Sequence, residues 1–66
     1  DKTIIELPGP DIYELKVYDV NGKGVIEIKN IVSKSIEIER NDLLPGIYLL
    51  ELISSDKLYE EKLIVE

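Results

Sequence analysis

The sequence contains no Ala, Cys, His, Met, Phe or Trp. Without cysteine there is no disulfide framework, no thiolate metal site and no thiol nucleophile. Without histidine the chain lacks the usual general base near neutral pH and the commonest metal ligand. The serines therefore have no base to activate them, and a chain of 66 residues has no room for the cleft that would shield a pair of catalytic carboxylates. We expect no catalytic residue, no enzyme activity, no metal site and no cofactor.

Basic residues are also scarce, at 8 against 14 acidic residues, which gives a net charge of −6. Nucleic acids and anionic lipids require clustered Lys and Arg, so neither is an expected partner. No run approaches the about 18 apolar residues that span a membrane, and no signal peptide is visible, so we expect no membrane insertion. The hydrophobic fraction of 44% is too high for a disordered acidic tail. We expect a single domain over residues 1–66, excised or processed from a longer protein because it begins at Asp1 without Met.

What the chain does contain is branched aliphatic residues, including eleven Ile and five Val, which fit the pleat of a β-sheet. Alternation of apolar and polar residues predicts six strands at residues 3–7, 14–18, 25–29, 35–39, 47–53 and 59–65. The nearly continuous apolar run 47–53 predicts a central strand, and a helix there is the less favoured alternative. The residues predicted to face inward are Tyr13, Leu15, Val17, Ile26, Ile28, Ile36, Ile38, Tyr48, Leu50, Leu52, Tyr59, Leu63 and Val65, whereas Tyr18 is predicted to project outward.

Turn signals fall between these strands. Asn21-Gly22 predicts a hairpin with a type I′ turn, in which both residues have positive φ. Asn41-Asp42 and Pro45-Gly46 bracket the link into the central strand, and Ser54–Lys57 closes a second hairpin. Short strands separated by such signals predict an all-β fold, a small antiparallel sandwich of about six or seven strands.

The segment 42–48 also predicts a tyrosine corner of the kind found in immunoglobulin-like sandwiches. There a Tyr just after a corner returns its hydroxyl group to the backbone a few residues upstream, and Tyr48 is placed for that role. Leu7-Pro8-Gly9 before Tyr13 is similar to Leu44-Pro45-Gly46 before Tyr48. We interpret the similarity as two strands with similar preceding turns that face each other, rather than as a true repeat.

The residues alone suggest two possible binding sites. Asp19–Lys23 superficially resembles a calcium loop, but Lys23 occupies the third ligand position and no closing Glu follows, which favours a plain hairpin turn. Sugar binding by a small sandwich requires exposed aromatic rings, and Tyr18 alone is predicted to offer one.

Three segments in order resemble a known family: residues 15–23, residues 43–50 and residues 59–65. The family shows a Tyr-Asp-x-x-Gly-Lys hairpin, a Leu-x-x-Gly-x-Tyr corner and a final Lys-Leu-x-Val strand. It is the C-terminal sorting domain of the type IX secretion system of Bacteroidetes and their relatives. The resemblance covers roughly residues 12 to 66. The chain departs from the family in having Leu7-Pro8-Gly9-Pro10 where members open with a Tyr-Pro-Asn-Pro type segment, so either the domain is trimmed at its N-terminus or it belongs to a neighbouring sandwich family.

The resemblance implies an immunoglobulin-like sandwich that serves as a secretion signal. In that family the domain follows a secreted enzyme or adhesin, is recognised in the periplasm by the type IX translocon and is carried across the outer membrane. A sortase-like peptidase then commonly removes it and joins the cargo to surface lipopolysaccharide. The implied location of the protein is therefore secreted or on the cell surface, after passage through the periplasm.

The same resemblance implies which residues matter. Those matched to the family motifs are Asp19, Gly22, Lys23, Pro45, Gly46, Tyr48, Lys62, Leu63 and Val65. The implied role of the hairpin and corner residues other than Lys23 is mainly to set the shape. The recognition candidates are Lys23, Lys62, Leu63 and Val65. Lys62 is the better one, because strand alternation points it away from Leu63 and Val65. The rival hypothesis, which shares the fold, is an accessory sandwich of a secreted enzyme that acts as a spacer or binds carbohydrate.

Overall fold

The computed structural model describes residues 2–39 and 43–66, and within them the regular structure is entirely β-strand. The strands are β1 (Lys2–Glu6), β2 (Tyr13–Tyr18), β3 (Gly24–Ile31), β4 (Ser35–Glu39), β5 (Gly46–Ile53) and β6 (Leu58–Val65). Each predicted strand is present, and the alternative helix at residues 47–53 is wrong because that segment is β5. The predicted turn at Asn41-Asp42 lies outside the described residues. No helix long and apolar enough to cross a membrane occurs in the described ranges.

The strands form two antiparallel sheets. The larger has the order β3-β2-β5-β6, and the smaller pairs β1 with β4. The chain therefore crosses between sheets after β1, β3 and β4, whereas β2–β3 and β5–β6 are hairpins. This is the connectivity of immunoglobulin strands B, C, C′, E, F and G. The predicted all-β, immunoglobulin-like sandwich is confirmed, with six strands.

The core lies between the two sheets and is built from the inward faces that alternation predicts. Leu15 and Val17 of β2 have no exposed surface, and they pair with Leu52 and Leu50 of the neighbouring β5. The buried core comprises Tyr13, Leu15, Val17, Ile31, Ile36, Ile38, Leu43, Tyr48, Leu50, Leu52 and Val65. Burial of such a contiguous apolar set is the main stabilising term in a domain of this size.

Two residues predicted to face inward are exposed. Ile28 pairs with the buried Leu15 and so lies on the inner face, but on the edge strand β3 it retains 38% of its surface. Further along β3, Tyr13 pairs with Ile31, so the bulge between these two pairs carries Ile31 into the core as well. Tyr59 pairs with the buried Leu52 and so lies on the inner face, but on the edge strand β6 it retains 37% of its surface.

The molecule has an approximate twofold arrangement. Each half contributes one strand to the small sheet and one hairpin to the large sheet, and β2 and β5 pair antiparallel at the centre. Tyr13 donates its hydroxyl hydrogen to the carbonyl of Gly9 at 2.8 Å, and Tyr48 donates to the carbonyl of Leu44 at 2.5 Å. The two similar sequence segments are thus two tyrosine corners, each closing onto the residue four positions upstream. The strands that follow them are hydrogen-bonded neighbours in one sheet.

Candidate recognition site

The three sequence segments that carry the family resemblance meet at one end of the large sheet. Tyr18, at the end of β2, pairs with Leu49 of β5, and Leu49 pairs with Lys62 of β6. At the same end, Ile47 pairs with Ile64. We call this the motif end: the Asp19–Lys23 turn, the first half of β5 and the last half of β6. The segments are far apart in the chain, and strand pairing alone brings them together.

The Asp19–Lys23 turn is held by the Asp19 side chain. One carboxylate oxygen, Oδ1, accepts hydrogen bonds from the backbone N–H groups of Asn21 and Lys23, at 2.9 and 3.0 Å. The Gly22 N–H donates to the Asp19 carbonyl at 3.0 Å, and the Asp19 N–H donates to the Lys23 carbonyl at 2.9 Å. The Asp19 side chain therefore stabilises the turn to which it belongs.

The predicted type I′ turn is wrong. A type I′ turn requires positive φ at two successive residues, but here Gly22 has φ 81° and Asn21 does not have positive φ. The bond from Gly22 to Asp19 and the left-handed Gly22 are those of a type I turn followed by a glycine bulge. The Asp19 side chain favours this turn because its hydrogen bonds to the N–H groups of Asn21 and Lys23 hold the backbone on both sides of Gly22.

The second tyrosine corner forms the adjoining wall. The Tyr48 ring is 8% exposed and its hydroxyl group reaches the Leu44 carbonyl, as the sequence predicts. Pro45 and Gly46 lead directly into β5, where Gly46 pairs with Val65 of the last strand. The corner therefore fixes where β5 begins and, through that pairing, where β6 ends.

A cleft of about 430 Å³ lies at the motif end between these elements. Tyr18, Ile47 and Leu49 give it an apolar lining, while Asp19 and Lys62 supply charge. Ile47 and Leu49 lie on the outer face of the sheet and are 49% and 41% exposed. Exposed apolar residues beside a cation are typical of surfaces that bind other proteins.

The predicted site residues fall into two groups. Lys23 and Lys62 are exposed, and Lys62 lies on the outer face beside Leu49. Leu63 is half-buried and Val65 is 6% exposed, both on the inner face. Lys62 is thus available to a partner, whereas Val65 contributes to the core.

Sequence reasoning missed the apolar part of the site. It treated β5 as a central strand with one inward face and assigned no role to Ile47 and Leu49 on the other face, or to Ile64 beside them. The nearly unbroken apolar run of β5 indicates this second apolar face, since a strand with one solvent-exposed face ordinarily alternates apolar and polar residues. Tyr18 was predicted to project outward, and it does so, half-buried next to Gly24.

On the outer face, next to the cleft, Lys16 forms ion pairs with two carboxylates. Lys16 lies 3.7 Å from Glu14 and 3.9 Å from Glu27. Burial, together with the nearby Glu51 carboxylate, raises the pKa of the Tyr18 phenol above its ordinary value. By contrast, Lys62 forms no ion pair with any residue in the described ranges, so its ammonium group is available for a partner.

A larger cleft, of about 770 Å³, lies at the opposite end of the sandwich, between the β1–β2 and β3–β4 links. Its lining includes Leu7, Pro10 and Val32 and none of the residues matched to the family motifs. Within the described residues, no group of three or more acidic, His or Cys side chains is arranged to hold a metal ion. The motif end is therefore the candidate site.

Comparison with known proteins identifies the family of the chain. No curated protein is significantly similar to the chain in sequence. The family described as secretion system C-terminal sorting domain matches residues 1–66, the whole of the chain. The match includes the turn, the corner and the last strand that form the motif end. The chain therefore belongs to the family of C-terminal sorting domains of the type IX secretion system.

Proposed function

We propose that this sorting domain is a non-catalytic export signal that is read as a folded surface, with Lys62 and the cleft of the motif end as the part that is recognised. The observation that carries the proposal is the convergence of the turn, the corner and the last strand around one cleft. A linear signal would not need these distant segments to meet. An exposed apolar cleft rimmed by polar residues supports contact with a protein.

The proposed route follows from the family. The domain is joined to an N-terminal cargo protein, passes through the periplasm and is recognised there by components of the type IX translocon. It then directs the cargo across the outer membrane, and a sortase-like peptidase removes the domain. The cargo ends in the medium or on the cell surface. The domain supplies binding alone, because the chain lacks His and Cys and its serines therefore have no activating base.

A reporter fusion tests the export role. A fluorescent protein directed to the periplasm would carry residues 1–66 at its C-terminus, in an intact strain and in a translocon-deficient strain. We expect the reporter on the surface or in the medium of the intact strain only. Reporter retained in the periplasm of both strains, with the domain folded, would contradict the proposal and favour the accessory-module alternative. Retention on insoluble polysaccharide in an affinity gel would identify that alternative directly.

Point substitution of Lys62 tests the site. Lys62→Ala removes the exposed cation at the motif end, and Lys57→Ala removes an exposed cation from the β5–β6 turn at the opposite end. We expect export to fall with Lys62→Ala only, while both variants unfold at the same urea concentration as the parent chain, since surface substitutions usually change stability by less than about 0.5 kcal/mol. Equal export of the two variants would overturn this assignment. Truncation before Lys62 is the weaker test, because it also removes the buried Val65.

A further inference from the structure

The two edges of the large sheet differ in regularity. Edge strand β3 pairs with β2 through two register shifts, and its Asn30 has φ 58°. Edge strand β6 pairs with β5 over all of its length, from Leu58 to Val65, without a shift. Bulges and irregular backbone prevent a strand edge from pairing with another chain. By this criterion β3 is a protected edge and β6 is an edge that can accept a further strand.

The turn before β6 fixes which backbone groups point outward. The Ser54 N–H donates to the Lys57 carbonyl at 2.9 Å, which makes this a hydrogen-bonded pair. Hydrogen-bonded and non-hydrogen-bonded pairs alternate along an antiparallel ladder. The next hydrogen-bonded pair is therefore Leu52 with Tyr59, two positions along. The residues of β6 with N–H and C=O groups directed to the free edge are consequently Leu58, Glu60, Lys62 and Ile64.

The middle of β6 carries three consecutive charges, on Glu60, Glu61 and Lys62, and all three residues are exposed. None of them forms an ion pair within the described part of the chain. Glu60 and Lys62 lie on the outer face and Glu61 lies on the inner face, between Tyr59 and Leu63. Cross-strand pairs of opposite charge are stabilising and like charges directly opposite are destabilising. The edge therefore specifies the charges of a strand that would pair with it.

We propose that β6 is a docking edge for an extended segment of a partner protein that pairs antiparallel with it. The segment would place an acidic residue opposite Lys62 and basic residues opposite Glu61 and Glu60, with apolar residues on either side. Read from its N-terminus, the segment has the pattern apolar, acidic, basic, basic, apolar. This inference deepens the proposed function, because it specifies the chemistry of the partner at the same last strand.

A second copy of the chain fits this edge less well. When two copies of β6 pair antiparallel with their inner faces on the same side, one residue lies at the centre of the pairing, opposite the same residue of the other copy. Centring on Glu60 or Lys62 places that residue opposite its own copy, which makes a like-charge pair, and centring on Glu61 makes a Glu61–Glu61 pair beside two Glu60–Lys62 pairs of opposite charge. Each copy also carries a net charge of −6. Only a segment of complementary sequence meets all three charged residues with residues of opposite sign, so the charges favour a different protein as the occupant.

Two synthetic peptides test the pattern against the isotope-labelled 66-residue chain. The first, Val-Ile-Glu-Lys-Lys-Val-Tyr, has the predicted pattern, and the second, Val-Ile-Lys-Glu-Glu-Val-Tyr, has the charges reversed. Nuclear magnetic resonance would follow binding and the hydrogen exchange of backbone amides. We expect the first peptide to bind at least about tenfold more tightly, since three cross-strand charge pairs change sign between the peptides. It should also slow exchange at the Glu60 and Lys62 amides, which point to the free edge.

Two controls separate strand pairing from general attraction. The chain variant Glu60→Lys, Glu61→Lys, Lys62→Glu changes exposed residues only and should reverse the preference between the peptides. The first peptide should lose binding when N-methyl groups block the backbone amides of its pairing edge. It should keep binding when N-methyl groups block the amides of its other edge. Equal binding of both peptides, or no binding of either at millimolar concentration, would overturn the proposal. Concentration-dependent dimerisation that the triple variant abolishes would also overturn it, because the occupant would then be a second copy.

The reporter fusion distinguishes this inference from the proposed function. Peptide binding is measured without the secretion system, so its failure leaves the export result standing. If the peptides bind as expected but the triple variant is exported as efficiently as the parent chain, the docking edge is real and recognition of the last strand by the translocon is wrong.

Discussion

The two ends of the sandwich share one architecture and differ in surface chemistry. At each end, a tyrosine corner from one half of the chain lies beside the hairpin turn of the other half. The motif end has the Tyr48 corner and the Asp19–Lys23 turn, with a cleft of about 430 Å³ between them. The far end has the Tyr13 corner and the Ser54–Lys57 turn, with a cleft of about 210 Å³.

The difference lies in what fills the space between corner and turn. At the far end, the Asp11 carboxylate accepts hydrogen bonds from the Ile12 N–H at 2.7 Å and from the Ser55 hydroxyl at 3.3 Å, so corner and turn are joined. At the motif end, Asp19 bonds only within its own turn among the described contacts, and exposed Ile47 and Leu49 line the cleft. At the far end, the corner and the β5–β6 turn are thus joined by polar contacts internal to the domain, beside the separate cleft of about 770 Å³ between the β1–β2 and β3–β4 links. At the motif end, the space between corner and turn presents an apolar surface to a partner.

The largest predicted effect is common to both ends. Tyr13→Ala and Tyr48→Ala each remove a buried ring and a hydroxyl bond, which should cost about 3–5 kcal/mol of unfolding free energy. Cores of this size rarely supply more than about 3–5 kcal/mol in total, so both variants should be largely unfolded. Circular dichroism during urea titration measures this directly. Tyr18→Ala is the control, since it truncates a half-buried ring on the outer face and should leave the fold intact. A folded Tyr13→Ala chain beside an unfolded Tyr48→Ala chain would break the structural equivalence of the two corners.

A smaller effect is expected to be confined to the motif-end turn. Gly22 has φ 81° and no atom within 4 Å of an added Cβ, so Gly22→Ala is penalised by backbone strain alone. The left-handed conformation should cost about 1–2 kcal/mol, and Gly22→Asn should cost less because Asn tolerates it. Gly9, at the far corner, has equally open surroundings without positive φ. Urea unfolding of Gly9→Ala should show no loss of stability, and a loss equal to that of Gly22→Ala would contradict this account.

Removing only the hydroxyl groups tests whether the two corners act independently. Tyr13→Phe and Tyr48→Phe each delete one hydrogen bond to a backbone carbonyl, which should cost about 0.5–1.5 kcal/mol. The two bonds share no partner and lie at opposite ends, so the double variant should be additive within about 0.3–0.5 kcal/mol. A double-mutant cycle from urea titrations measures the coupling. A coupling well above that limit would mean that the corners are linked through the β2–β5 pair.

How much of this could be predicted from sequence depends on the range of the interactions. Strand alternation is local, so the inward faces of β2, β4 and β5 were predicted correctly, as was the hydroxyl bond of Tyr48 from its position after a turn. Ile28 and Tyr59 lie on the predicted inner face, and their exposure follows from the position of β3 and β6 at the edges of the sheet, which alternation within a strand does not contain. The cleft exists only because distant segments are paired, so no single motif predicts it, although the two apolar faces of β5 were visible.

The smallest effect concerns alkaline pH and involves one tyrosine at each end. Burial raises the pKa of Tyr13, with a further contribution from the Asp11 carboxylate, and burial and Glu51 raise the pKa of Tyr18. The unfolded chain ionises these phenols at the ordinary value of 10.0, whereas the folded chain resists ionisation until a higher pH. Stability that these residues contribute is therefore fully present below pH 10 and decreases as the pH rises from 10 through the folded pKa. Urea titrations on both sides of pH 10 should show a shallower alkaline loss in Tyr13→Phe and in Tyr18→Phe than in the parent chain. An unchanged loss in Tyr13→Phe alone would mean that the far-end phenol is open to ionisation in the folded domain, and the polar closure of that end would then be looser than its hydrogen bonds indicate.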